Sequence, residues 1–131
     1  MMQRRDVLKI GTAAIAWAAV PAALRATASP PVIGLVVDRR FAEALRTPTP
    51  TGAWRHVTDG DVTGLWYDRL DHAWRSPGAA IMGLTGDDAL FVLERLAWDR
   101  GRRVAAREPV PTAATAAVQL LRWTIASRHA F

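Results

Sequence analysis

Hydrophobic positions beyond residue 30 fall into runs and stripes separated by breaks rich in proline and glycine. Residues 32–37, Val-Ile-Gly-Leu-Val-Val, form a continuous apolar run of strand length, the pattern of a strand covered on both faces. Asp38 ends the run and is placed to cap a short helix over 39–46, with Phe41, Ala42 and Leu45 on one side. Residues 47–52, Thr-Pro-Thr-Pro-Thr-Gly, interrupt regular structure and predict the most mobile internal loop. A short strand is expected over 54–57. From Asp61 to Trp74 the apolar residues Val62, Leu65, Trp66, Leu70, Ala73 and Trp74 lay a stripe along a helix, capped by Asp59 or Asp61 and ended by Ser76-Pro77-Gly78.

A second unit follows. Residues 79–84 form a strand, and Thr85 with Asp88 three positions on resembles a capping box. The helix after it turns Leu90, Leu93, Leu96 and Ala97 inward, with Phe91, Val92 and Trp98 broadening the stripe, and Gly101 suits a left-handed stop. Residues 102–107 return as a less apolar strand nearer an edge, giving a strand, crossover helix and parallel strand. After a break at 108–111, residues 120–126 carry strand formers in partial alternation, whereas 113–121 are compatible with helix by propensity; the reading favours a final strand. The fold class expected is α/β, a small, mainly parallel sheet of four to five strands with about three helices.

The first 28 residues are of another kind. Arg4 and Arg5 are followed by Asp6, by Val7 and Leu8, and by Lys9; a run rich in alanine then extends over 10–24, and Ala26-Thr27-Ala28 offers a small-x-small cleavage site at Ala26 and Ala28. The stretch resembles the twin-arginine export signal, with Gln3 in place of the usual Ser or Thr. The apolar run contains Pro21 and is shorter than the roughly 20 residues of a membrane span. The resemblance implies a signal over 1–28, a mature domain over 29–131, the twin-arginine translocase as partner during export, and a periplasmic or secreted location. An uncleaved anchor is the main alternative. It also implies cargo that is exported folded, with a cofactor already inserted or bound to a partner.

Composition narrows the chemistry. The chain has no cysteine, which removes disulfides, thiolate metal sites, cysteine-ligated clusters and cysteine nucleophiles. Residues 29–131 carry 13 arginines against 11 acids, a near balance that does not suggest a nucleic-acid binder. Lys9 is the only lysine, so no lysine chemistry is available to the mature domain. Neither a metal nor a cofactor is expected, nor contact with a membrane after cleavage.

In sheets of this kind ligands sit at the carboxyl ends of strands. Those ends place Asp38, Thr85, Asp87 and Asp88 as candidate ligand-binding residues, although helix capping alone accounts for them. A glycine-rich phosphate fingerprint is missing, since Gly83 and Gly86 are too few and wrongly spaced. Asp68 and His72 are four apart and can share a helix face; His56 and His129 complete the histidines. Tryptophan is in surplus, with Trp54, Trp66, Trp74, Trp98 and Trp123 beyond the signal. Trp98 lies off the leucine stripe and Trp54 follows a loop, so these two are candidate partner-binding residues. The function expected is a non-catalytic exported accessory or binding subunit, with a larger periplasmic redox enzyme as its partner. Two other classes stay open. One is a small enzyme using Asp38, Asp87, Asp88 and His72 in acid–base work; the other is a small-molecule binder with an aromatic-lined pocket.

Overall fold

Val32–Asp38 (β1) is extended because its β-branched and leucine side chains are buried on alternating faces, and every residue from Leu35 to Asp38 lies inside the protein. The structure, a computed structural model, describes residues 30–113 and 117–127. The stretch that resembles an export signal, with Arg4, Arg5, Lys9, Ala26 and Ala28, lies outside the described residues, as does His129. The elements after β1 are α1 (Ala42–Leu45), β2 (Trp54–Thr58), α2 (63–73), β3 (Ala80–Gly86), α3 (Asp87–Asp99), β4 (Arg102–Pro109) and β5 (Leu120–Ser127). The strand over 120–126 is therefore observed.

The five strands form one sheet in the order β2-β1-β3-β5-β4. β1 pairs in parallel with β2 and with β3, while β5 pairs antiparallel with both β3 and β4. The sheet is mixed, which corrects the expectation of a mainly parallel one. β4 does run in the direction of β3, but β5 is inserted between them, so the crossover through α3 spans a strand. The C-terminal segment fills that place because Leu121, Trp123 and Ile125 bury on one face and Leu120 on the other.

Each face has its own core. α2 and α3 cover one face, where Leu65, Leu70, Trp74, Leu90 and Leu93 pack on Val36, Ile81, Trp123 and Ile125. The other face is covered more thinly, by Phe41 and Ala44 of the α1 region, with Val110 and Val118, over Leu35, Val37, Leu84 and Leu120. Among the described residues no helix is long and apolar enough to cross a membrane.

Local departures from expectation have physical causes. The first helix is shorter than 39–46, because the Asp38 carboxylate is engaged elsewhere and Phe41, without a capping side chain, precedes the first helical residue. α2 is not uniform: Trp66–Leu70 is a π-helical segment between α-helical turns. Leu65 and Leu70 are five apart and would point about 140° apart on a regular α-helix. The wider i to i+5 turn absorbs the extra residue and lets both leucines bury completely. Asp61 accepts the Thr63 amide at 2.9 Å at the start of this helix. The loop 47–52 is fastened: Arg55 donates to the carbonyls of Leu45 and Thr47 and to the Thr49 hydroxyl.

Candidate functional site

The chain diverges between the carboxyl ends of β1 and β3, since β1 leads to β2 on one side and β3 leads to β4 on the other. This is the switch point at which open α/β sheets hold ligands, and it gathers Asp38, Thr85, Asp87 and Asp88 as the sequence predicts. The site is closed by its own side chains. Asp38 is fully buried. Its carboxylate accepts from Arg40 Nε at 2.9 Å, Arg40 Nη2 at 2.7 Å, the Arg40 amide at 3.1 Å and the Gly86 amide at 2.9 Å. The same guanidinium donates to both oxygens of Asp88, at 3.0 and 2.8 Å.

Both groups of the partly exposed pair feel this. Hydrogen bonding to Asp38, and then to Asp88, raises the Arg40 pKa above its ordinary value. The hydrogen bond from Arg40 holds the Asp88 carboxyl below the usual carboxylate range. A Cβ added at Gly86 would stand 2.6 Å from Asp88 Oδ1, 2.8 Å from Arg40 Nη2 and 3.0 Å from Val118 Cγ2. The switch point is a filled ionic clamp between the ends of two strands.

Thr85 does not cap α3, as the sequence suggests. Gly86 occupies the cap position without a side-chain bond, and Asp88 accepts the Ala89 amide instead. The buried Thr85 hydroxyl donates to the Gly86 carbonyl at 2.9 Å and accepts from Trp123 Nε1 at 3.0 Å. The Asp87 side chain is exposed, and its amide donates to the Gln119 carbonyl at 2.9 Å.

The tryptophan surplus is largely absorbed inside the molecule. Gly34 pairs with Trp54, and Gly83 with Trp123, so that each indole lies over a glycine on the adjoining strand. A Cβ at either glycine would run into that indole. Arginines face four of the rings: Arg69 lies over Trp54 at 5.2 Å, Arg100 over Trp66 at 4.8 Å, Arg102 over Trp74 at 5.9 Å and Arg95 over Trp98 at 5.3 Å. A planar guanidinium stacks on an indole in a way that an ammonium does not. Trp54 is half-buried in such a stack, whereas Trp98 stays 50 % exposed on the outside of α3.

A cleft opens at the opposite end of the sheet, beside the amino ends of β1 and β3. Ile33, Trp54, Asp68, Arg69, His72 and Ala79 are among its lining residues, and its volume is about 470 Å³. The structure therefore separates His72 from Asp38 and Asp88, and the four groups of the acid–base reading do not converge. His56, on β2, is near Asp68 and Arg69, and burial lowers its pKa. No group of three metal-ligating side chains occurs among the described residues. Comparison with protein-family models, with curated proteins and with solved structures finds no match for the chain.

Proposed function

We propose that the protein is exported by the twin-arginine route, loses residues 1–28, and works in the periplasm as a non-catalytic accessory subunit of a larger redox enzyme. The observation that carries this reading is the outer face of α3 and α2. Phe91 and Trp98 are 60 % and 50 % exposed, and Val92 and Tyr67 extend the same outer surface. Arg95 lies over both Phe91 and Trp98, at 5.1 and 5.3 Å. Aromatic side chains with arginine among them are what the centres of protein interfaces are enriched in. Between the helices, Val62, Trp66, Tyr67, Val92 and Leu96 line a groove of about 260 Å³, able to take an apolar side chain of the partner.

The clamp at the switch point supports the non-catalytic part of the reading. A general acid or base needs an open hydrogen-bonding position and a pKa near the working pH. Asp38 is enclosed with both oxygens occupied, and Asp88 is held in its charged form by Arg40. The test is a mild pull-down of the tagged protein from the periplasmic fraction of its host, with mass spectrometry of the bound chains and of the mature N-terminus. A stoichiometric redox enzyme and a start at Ser29 are expected. A lone monomer, or a cytoplasmic chain that keeps Met1, would overturn the reading.

A further inference from the structure

The cleft at the amino ends of β1 and β3 is spared by the clamp and distinct from the helical face. Its walls come from four segments that the sequence keeps apart: Ile33 on β1, Gly52 and Trp54 at the entry to β2, Asp68, Arg69 and His72 on α2, and Ser76 and Ala79 in the turn before β3. The π-helical segment Trp66–Leu70 carries two of these charged residues, the neighbours Asp68 and Arg69. Such wide turns often mark functional positions, because they re-aim side chains that a regular helix would send elsewhere.

Arg69 is already positioned. Its guanidinium rests on the indole of Trp54 at 5.2 Å, and that indole is itself seated over Gly34. Among the described residues the Arg69 guanidinium makes no side-chain hydrogen bond or ion pair, and its planar fork is left for a carboxylate. Asp68, next to it, is likewise without a hydrogen-bond or ion-pair partner among the described residues. Behind the cleft wall lies Arg102, only 2 % exposed, which donates to the carbonyls of Ser76 and Ala79, both lining residues. No carboxylate pairs with Arg102 among the described residues, and its Nε has no hydrogen-bond partner. A buried cation without a carboxylate partner among the described residues therefore stands behind the cleft wall.

We propose that this cleft binds a small zwitterion, an α-amino acid with an apolar side chain, whose carboxylate meets Arg69 and whose ammonium meets Asp68. Ile33, Ala73, Ala79 and the edge of Trp54 supply the apolar wall for the side chain. A purely anionic ligand would meet Asp68, and a purely cationic one would meet Arg69 with Arg102 behind it. The volume lies within the ~300–1,000 Å³ usual for small-molecule sites.

The test titrates the protein, as isolated from its host, with L-leucine, N-acetyl-L-leucine and isoamylamine, by calorimetry and by amide and indole proton–nitrogen spectra. L-Leucine is expected to bind saturably and to shift the Trp54 indole signal. The two analogues, each lacking one charge, are expected to bind at least roughly tenfold more weakly, because each leaves a polar group of the site unpaired. Arg69→Gln weakens leucine binding by a similar factor, and Asp68→Asn removes the preference for leucine over its N-acetyl derivative. Both positions are on the helix surface, and Glu108→Gln, in an exposed ion pair with Arg122 at the far end of the sheet, serves as the control that keeps leucine binding unchanged. Equal binding of all three probes, no binding of L-leucine or L-phenylalanine at millimolar concentration, or indifference to both cleft variants would overturn the proposal while leaving the docking face untouched.

Discussion

The buried carboxylate of Asp38 accepts the amide of Gly86 at 2.9 Å across 48 residues of chain, and Arg40 holds the other side of the same group. This contact ties the carboxyl ends of β1 and β3 together at the point where the chain diverges. Asp38→Ala would leave the buried Gly86 amide unsatisfied and remove one of the two carboxylates on the partly exposed Arg40. A loss of about 1–3 kcal/mol in unfolding free energy is expected, as for an unsatisfied buried donor. Urea unfolding followed by circular dichroism measures it. A loss below about 1 kcal/mol would mean that the clamp is replaced by water at little cost.

Glycines in this protein divide by what faces them, and the division predicts opposite signs. Gly83→Ala drives a methyl into the Trp123 indole in the core, and should cost about 1–3 kcal/mol. Gly64, in the first turn of α2, has nothing within 4 Å of an added Cβ, and Gly64→Ala should stabilise by roughly 0.5–1 kcal/mol. Thermal melts of the two variants beside the parent check the pair. A neutral Gly83→Ala would show that the indole can move aside.

How far the sequence reached differs between the fold and the site. The apolar run over 32–37 and the leucines of α3 were legible because burial on two faces, or on one stripe, writes itself into local spacing. The insertion of β5 between β3 and β4 was not, since pairing partners are set by long-range packing of Trp123 and Ile125 rather than by local pattern. The sequence located Asp38 and Asp88 correctly at the strand ends. It missed that Arg40 joins them, although the Asp38-Arg39-Arg40 spacing was the available signal. It also gave Thr85 to the helix cap, because nothing local reveals an indole 38 residues away that needs an acceptor. The cleft was hidden for the same reason: Ile33, Trp54 and Arg69 meet only once the sheet register is known. The Gly34–Trp54 and Gly83–Trp123 pairs likewise have no meaning before strands are aligned.

His56 is expected to make the stability depend on pH near neutrality. Burial holds the His56 imidazole below its ordinary value, with Asp68 working in the opposite direction and Arg69 adding to the depression. The unfolded chain therefore takes up a proton near pH ~6.5 while the folded protein does not. Stability is expected to be level above that pH and to fall as the pH drops below it, until the folded imidazole is also protonated. His56→Gln should remove this slope. Unfolding free energies measured between pH 8 and pH 5 for parent and variant decide it; a slope that persists in the variant would place its origin elsewhere.

A second decline belongs to the carboxylates. Hydrogen bonds from Arg40 and Arg100 lower the Asp88 and Asp71 pKa values respectively. For groups depressed in the folded state, the stabilisation is present above the unfolded value, near pH ~3.9, and is lost as the pH falls through the folded value. Asp88→Asn should flatten the part of this acid limb due to Asp88 while leaving the Arg40–Asp38 contact in place. An unaltered acid limb in that variant would assign it to other carboxylates.

On the accessory-subunit reading, the exposed aromatics of α3 should matter for association and hardly at all for folding. Phe91 and Trp98 face outward, and neither belongs to the apolar cores of the sheet. Replacing them with serine removes apolar surface already in contact with water, so Phe91→Ser and Trp98→Ser should each change stability by no more than about 0.5 kcal/mol. Each is nevertheless placed at the centre of a candidate interface, where truncation of an aromatic anchor typically costs at least about 2 kcal/mol of binding, a factor of roughly 30 in the dissociation constant. Arg95 joins the two rings from above, and Arg95→Ala should weaken association without altering the melt. The measurement is recovery of the partner by the tagged variants from periplasmic extract, beside their melting curves. Undiminished recovery with all three variants would move the contact surface away from the exposed aromatics of α3.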